Sequence, residues 1–554
     1  MSYYQQHKAI LDEAVKALHQ RTYYSQYPEY PSPKIYGEEA DEQGRKAFQN
    51  QMGKQFEELS QSASSWIGEE ASPFLQESLN IKYPTSGIEE LLANAADAMD
   101  QWRRVPPEER AGILVESLEQ VRKRFFEVAY ATMHTTGQGN MMAFQASGPH
   151  AADRALEAIA MGLDEQSRIP QQANWVKPMG KYEITLNKEW RLVPRGISLV
   201  IGCSTFPTWN SVPGIYASLV TGNPVLVKPH PGAILPIAIF VAEIQKTLAA
   251  AGLNPLSCQL AVDTLGQPLA KKLANHSQVK LIDFTGNSEF GSYLESLPGK
   301  TVFTEKTGIN SVILDSVEDV AKVVQNLAFS LSLYSGQMCT APQNIFIPAS
   351  GVGTAEGTVS LNQFGEMLAG AINELVDNPK AGPYVLGTIQ NENTSSRVQE
   401  IEESGARILL QSRSIENSMF KNARTATPSL LEVPTDQLEE FEQELFGPIA
   451  LLISTKNTDQ SIELARSLAE KHGAITCAAY TTDELVKEKI ADQMSLAATP
   501  VSFNLTGGVY VNQHAAFSDF HVTAGNPAGN ASFTNPEFVL KRFVVVGMRE
   551  PANS

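Results

Sequence analysis

Cysteine and net positive charge are both scarce in this chain. Only four of its 554 residues are cysteine (Cys203, Cys258, Cys339, Cys477), and they are widely spaced. With no Cys-x-x-Cys pair or Cys/His cluster, the sequence offers no metal-ligand spacing, and so low a count points to a reducing compartment. Lysine and arginine number 43 against 61 aspartates and glutamates, a net charge of −18. Such a chain repels phosphate backbones and anionic lipid, which argues against nucleic acid and membrane surfaces as partners. Long apolar runs are missing too: the stretch from Ala233 to Val241 falls far short of the roughly 20 residues that span a bilayer. The opening residues, Met1 to His7, have neither the basic nor the apolar region of a signal peptide, so a cytoplasmic protein is expected. Internal repeats and low-complexity tracts are absent.

What is present is length and apolar content. A chain of this size with 42% hydrophobic residues buries a large core and divides into more than one domain. Residues 1–85 stand apart, rich in tyrosine and punctuated by Pro28, Pro31 and Pro33; they read as an extension packed on the main body rather than a partner-binding arm. Residues 86–170 read as helices, with Ile113, Leu114, Leu118 and Val121 at helical spacing. From about 181 strands appear. Tyr182 to Leu186 alternates, and Gly196 to Gly202, Pro224 to Pro229 and Val279 to Phe284 are short buried runs separated by helical stretches. That alternation predicts a parallel α/β sheet. Ser316 with Asp319 resembles a capping box, and Phe538 to Val546 reads as a terminal strand.

Three segments carry chemistry. Cys339 sits in Ser335-Gly336-Gln337-Met338-Cys339-Thr340, and Glu305 closes the run Val302-Phe303-Thr304-Glu305. Taken alone, the one is more often a structural thiol and the other a solvated strand end. As a pair, a thiolate attacks a carbonyl and a carboxylate activates water. The turn from Gly286 to Gly291 follows a strand and opens a helix, whose first N–H groups attract pyrophosphate. Its spacing is not Gly-x-Gly-x-x-Gly. Gly299-Lys300-Thr301 mimics the end of a P-loop, but Leu294 stands where that loop needs glycine.

Together, Glu305-Lys306-Thr307-Gly308, Gly336-Gln337-Met338-Cys339 and Glu444-Leu445-Phe446-Gly447-Pro448 resemble the signatures of the aldehyde dehydrogenase superfamily, in its order and spacing. Phe284-Thr285-Gly286-Asn287-Ser288 resembles its cofactor turn, and Thr221 to Pro229 its adenosine-side segment. The resemblance covers roughly 86–550. The tyrosine-rich start looks most like the PaaN-type members linked to aerobic phenylacetate degradation.

The resemblance implies an α/β fold in three parts: a Rossmann-type parallel-sheet cofactor domain (86–180 and 195–306), an α/β catalytic domain (307–525) and a small β flap for oligomerisation (181–194 and 526–554), with a homodimer or dimer of dimers as the assembly. It implies that Cys339 attacks the aldehyde, that hydride passes to a nicotinamide, and that Glu305 activates water to release the acid. Glu444 would hold the nicotinamide ribose with Phe446 packed nearby. Ser204, Gly286, Asn287 and Gly291 would line the cofactor. An aldehyde, CoA-linked in the PaaN-type setting, is the implied substrate.

Three departures bear on this. The family's oxyanion asparagine, counted back from Gly222 and Lys228, falls on Thr205; Trp209-Asn210 mimics its motif five residues late. A relay lysine nine residues on is Gly214. The family's Lys-Pro-x-Glu is Lys228-Pro229-His230-Pro231, so the glutamate that repels a 2′-phosphate is gone, while Lys228 and His230 could donate to one. NADP is therefore favoured over NAD. Two alternatives stand beside the hydrolytic dehydrogenase: a CoA-acylating enzyme, which Glu305 opposes, and a cofactor-binding scaffold with little turnover, which Thr205 and Gly214 motivate.

Overall fold

A computed structural model describes residues 2–510, 516–517, 521 and 525–552. The stretches 511–515, 518–520 and 522–524, with 1 and 553–554, lie outside it, including parts of the segments expected near 525 and 554.

Five parallel strands form the first sheet, in the spatial order Thr301–Glu305, Val279–Thr285, Ile197–Ile201, Val225–Lys228, Cys258–Leu260. Side chains alternate between its faces. Leu199, Ile201 and Leu226 pack with Leu91, Leu92 and Leu273 on one side; Val200, Val225 and Val227 join the helices Pro207–Val220 and Leu235–Ala250 on the other. Coverage on both faces is why these strands read as unbroken apolar runs. From Ile197–Ile201 the chain builds outward to Cys258–Leu260, then returns to place Val279–Thr285 on the opposite flank. That reversal opens a crevice beyond the carboxyl ends of the two strands, where ligands bind in such folds.

The second sheet has seven strands, ordered Arg407–Leu410, Ser429–Pro434, Ile449–Thr455, Asn344–Pro348, Ser311–Leu314, Cys477–Tyr480, Val501–Phe503. All pairings are parallel except that of the edge strand Arg407–Leu410. The preceding helix, Val320–Ser332, is capped by Asp319 itself, whose Oδ1 accepts from the Lys322 N–H at 3.1 Å. Ser316, expected as the cap, bonds to Asp315 and Thr482 instead.

A third, antiparallel sheet holds Gln172–Met179, Tyr182–Pro194 and Phe543–Pro551. It starts earlier than the expected flap. Residues 537–540, expected as strand, form the helical turn Glu537–Leu540, because Pro536 sets its first φ and Asn535 Oδ1 accepts from the Glu537 N–H.

The N-terminal extension packs on the body. Its helix Tyr3–Gln20 lies on Pro107–Arg122, so close that a Cβ on Gly112 would sit 2.3 Å from the Tyr4 nitrogen. Buried Asp153 accepts from Ser25 Oγ and the backbone N–H groups of Gln26 and Tyr27. Glu70 caps the helix Leu235–Ala250 through the N–H groups of Ile234 and Leu235. Among the described residues no helix is long and apolar enough to cross a membrane.

Candidate active site

Cys339 follows a loop held in an unusual backbone. Tyr334, Ser335 and Gly336 all have positive φ, at 52°, 48° and 64°. For two non-glycine residues that conformation is costly and persists only where surroundings enforce it. They do so here. Tyr334 donates to the Thr136 carbonyl at 2.5 Å, Ser335 to those of Leu386 and Ala426, and Gln337 to that of Thr388. Gly336 admits no side chain, since a Cβ would lie 2.3 Å from the Gly447 oxygen. Asn310 then fixes the nucleophile's own backbone. Its Nδ2 donates to the carbonyls of Cys339 (2.7 Å) and Ala341 (3.0 Å), while its Oδ1 accepts from the N–H groups of Ile475 and Thr476.

Glu305 ends the edge strand of the first sheet, and the fold brings it to Cys339. Sγ of Cys339, a carboxylate oxygen of Glu305 and a ring nitrogen of His521 lie within 4.8 Å of one another. The sequence shows no metal-ligand spacing, yet the fold gathers three ligand-type groups at this point. Burial, then the neighbouring Glu305 carboxylate, pushes the Cys339 thiol well up, and the thiol hydrogen-bonds to that carboxylate. Burial alone would raise Glu305 as well; His521, then Arg154 and the thiol, outweigh it and hold the carboxyl down at about 2.

The thiol opens into a cavity of about 460 Å³ walled by Met142, Phe206, Trp209, Phe329, Leu333 and Tyr510. Asn210 also lines it. Its Nδ2 is buried without a hydrogen-bond partner, while Oδ1 accepts from the Cys203 thiol at 3.7 Å. Thr205, expected as the oxyanion donor, lies outside that lining; its carbonyl accepts from Gln138 Nε2 at 2.8 Å and its hydroxyl faces Cys203. Asn210 lies five residues after Thr205. Asn210 sits in the first turn of the helix Pro207–Val220, whereas Thr205, the slot counted back from Gly222 and Lys228, precedes that helix. A buried amide with no partner is the signal that sequence alone lacks.

The remaining expected cofactor residues are each held locally. Asn287 caps the helix Ser288–Glu295, its Oδ1 accepting from the Phe290 N–H at 2.8 Å. Gly286 and Gly291 are tight rather than left-handed: a Cβ would press on the Phe284 ring at 2.6 Å and on Lys306 at 2.5 Å. The Ser204 carbonyl accepts from Gln390 Nε2. Glu444 borders a small void with Phe446, Gly308 and Met338. Burial raises its carboxyl to about 7, against the Gly308 N–H and Arg397, which lower it. Arg397 Nη1 holds the Phe446 carbonyl at 2.7 Å.

The adenosine end differs from the expectation. Lys228 is buried and paired to Asp263 Oδ1 at 2.9 Å. Burial, then Lys228, lowers His230 to about 4, and its Nδ1 accepts from the Gly232 N–H. Pro231 is buried beside them. Neither expected phosphate donor offers an uncompensated positive charge at neutral pH.

Residues 80–525 match the model of the aldehyde dehydrogenase family. The fold is similar over the whole of both chains to a crystal structure of an NAD-dependent aldehyde dehydrogenase from Burkholderia multivorans, at 43% identity and a TM-score of 0.97. A benzaldehyde dehydrogenase [NAD(+)] from Pseudomonas putida is 24% identical over 477 residues, 83% of this chain and 88% of that protein. A 1-pyrroline-5-carboxylate dehydrogenase from Bacillus pumilus is also 24% identical, over 77% of this chain and 83% of its own length. A cysteine loop beside a carboxylate, a parallel sheet with its crevice, and a family match over most of its length converge on one assignment: the chain belongs to the aldehyde dehydrogenase family and is an oxidoreductase acting on aldehydes.

Proposed function

We propose that this enzyme oxidises an apolar aldehyde to its acid with NAD. The observation that carries it is the Cys339 thiol, bonded to Glu305 at the base of an apolar, aromatic cavity. Glu305 takes the thiol proton as sulfur attacks the carbonyl carbon. The Cys339 N–H and Asn210 Nδ2 stabilise the oxyanion that forms. NAD would supply the hydride acceptor. Glu305 then takes a proton from the water that hydrolyses the thioester, and Glu444 and Phe446 position the nicotinamide end.

The crevice suits a dinucleotide: it has a helix N-terminus at Ser288, and a Cβ at Gly286 would collide with Phe284. The reading of its adenosine end as NADP-binding loses its support once Lys228 is neutralised by Asp263. One further carboxylate lies nearby: Glu69 is close enough to act on His230 and accepts from the Leu265 N–H at 2.9 Å. A carboxylate there accepts from a ribose 2′-hydroxyl and repels a 2′-phosphate. Initial rates with either nucleotide test this. NAD is the preferred cofactor of the wild type, and Asp263→Asn, which frees the Lys228 charge for a 2′-phosphate, raises the ratio of kcat/KM for NADP over NAD by about tenfold, the equivalent of ~1.4 kcal/mol. A wild type that prefers NADP would sink the reading.

The finer substrate, a CoA-linked semialdehyde from phenylacetate ring opening, rests on the PaaN-type resemblance. Among the described residues no lysine or arginine lines the cavity to meet CoA phosphates; Glu29, His150 and His521 do. Aromatic and aliphatic aldehydes are therefore the first panel to try.

The third sheet supports a homo-oligomer. Its strands are exposed almost throughout, with Trp175, Val176, Ile184, Val545 and Val546 outward. A three-stranded sheet with apolar side chains on both faces needs something to cover it. Light scattering should give two or four times the 60.4 kDa chain mass; a monomer at assay concentration contradicts the assignment.

A further inference from the structure

We propose that His521 is the proton acceptor that empties Glu305 during turnover, an assignment that rests on the dehydrogenase reading above. Glu305 is loaded twice in each cycle: once from the Cys339 S–H as the S–C bond forms, once from water as the thioester is cleaved. Each proton must leave before the carboxylate acts again.

The route expected from the family is closed. At Gly214, where the relay lysine would stand, an added Cβ would lie 2.6 Å from the Asp283 carboxyl carbon. That carboxylate is itself held by Arg542 through contacts of 2.6 and 2.8 Å.

Another basic group faces Glu305. Nε2 of His521 stands 3.0 Å from Glu305 Oε2, with the two side chains 2% and 4% exposed. The imidazole is set edge-on against the Trp209 ring, with centroids 5.0 Å apart. Trp209 in turn carries the Arg154 guanidinium 3.6 Å from its centroid. His521 also lines the aldehyde cavity, which gives a proton on the ring a path outward.

The step balances simply. The Oε2–H bond of Glu305 breaks, its proton bonds to Nε2, and an imidazolium faces a carboxylate. The proton then passes to water in the cavity, and no electrons enter or leave the ring.

The test uses the full-length enzyme with NAD and its best aldehyde. His521→Gln keeps a hydrogen-bond donor toward Glu305 but cannot take a proton; His521→Ala leaves room for imidazole. In both, kcat falls by about 10², a burst of one nucleotide reduced per site appears because deacylation has become limiting, and added imidazole restores the alanine variant. Wild-type kcat in both variants overturns the proposal. So does a loss with neither burst nor rescue, the mark of a merely structural histidine. Should the alanine variant fail to fold, the glutamine variant's burst decides alone. If the wild type reduces no nucleotide with any aldehyde, the dehydrogenase reading has failed and the relay falls with it.

Discussion

Asn210→Ala is expected to lower kcat by about 10²–10³, the cost of removing one good oxyanion donor. Thr205→Val is expected to leave kcat near that of the wild type. The contrast follows from where each side chain lies. Asn210 Nδ2 is buried in the wall of the cavity that holds Cys339, and no protein atom takes its hydrogens. An amide buried in that state costs free energy unless something supplies an acceptor, and the oxyanion is such an acceptor. Thr205 faces away, its hydroxyl toward Cys203 and its carbonyl held by Gln138. Because the donor acts on the transition state, KM should change far less than kcat. A large loss in Thr205→Val with an active Asn210→Ala reverses the assignment.

Arg542→Met is expected to destabilise the fold by about 3–5 kcal/mol, since it strands a carboxylate in the interior. Arg542 is completely buried. It donates to both oxygens of Asp283, to Ser218 Oγ and to the Phe538 carbonyl. Its guanidinium lies 4.2 Å from the Phe303 ring centroid and 4.6 Å from that of Phe538. These contacts staple the start of the strand Phe543–Pro551 to the strand Val279–Thr285, and Asp283 fills the space beside Gly214. The denaturant midpoint should drop sharply in Arg542→Met and recover much of the loss in Arg542→Met combined with Asp283→Leu, since replacing both members of a buried pair by apolar groups removes the unpaired charge. An unchanged midpoint in the single variant would show that the pair contributes nothing.

Cys339 and Glu305 were legible in the sequence because each ends a recognisable local pattern, one a helix and glycine turn, the other a short strand. The parallel first sheet was legible from apolar runs between helices. Other parts were not, for one reason: they depend on contacts across long stretches of chain. His521 reaches Glu305 from beyond the second sheet. Asn310 looks like an ordinary loop residue until its four bonds are seen to converge on the nucleophile's backbone. Arg542 reads as part of a terminal strand, and only the fold reveals Asp283 opposite it. Lys228 carries the same lesson in reverse. A lysine in an adenosine-side segment suggests a phosphate donor, and the partner that cancels its charge, Asp263, is supplied by the next strand's exit.

Mass spectrometry of Glu305→Gln mixed with aldehyde and NAD tests the central claim most directly. Glu305 serves both steps, so Glu305→Gln should acylate slowly and hydrolyse not at all: the enzyme should reduce at most about one nucleotide per site and then stall, carrying an acyl adduct on Cys339 that is absent from Cys339→Ala. Continuous turnover in Glu305→Gln, or an adduct on any residue other than Cys339, would contradict the account.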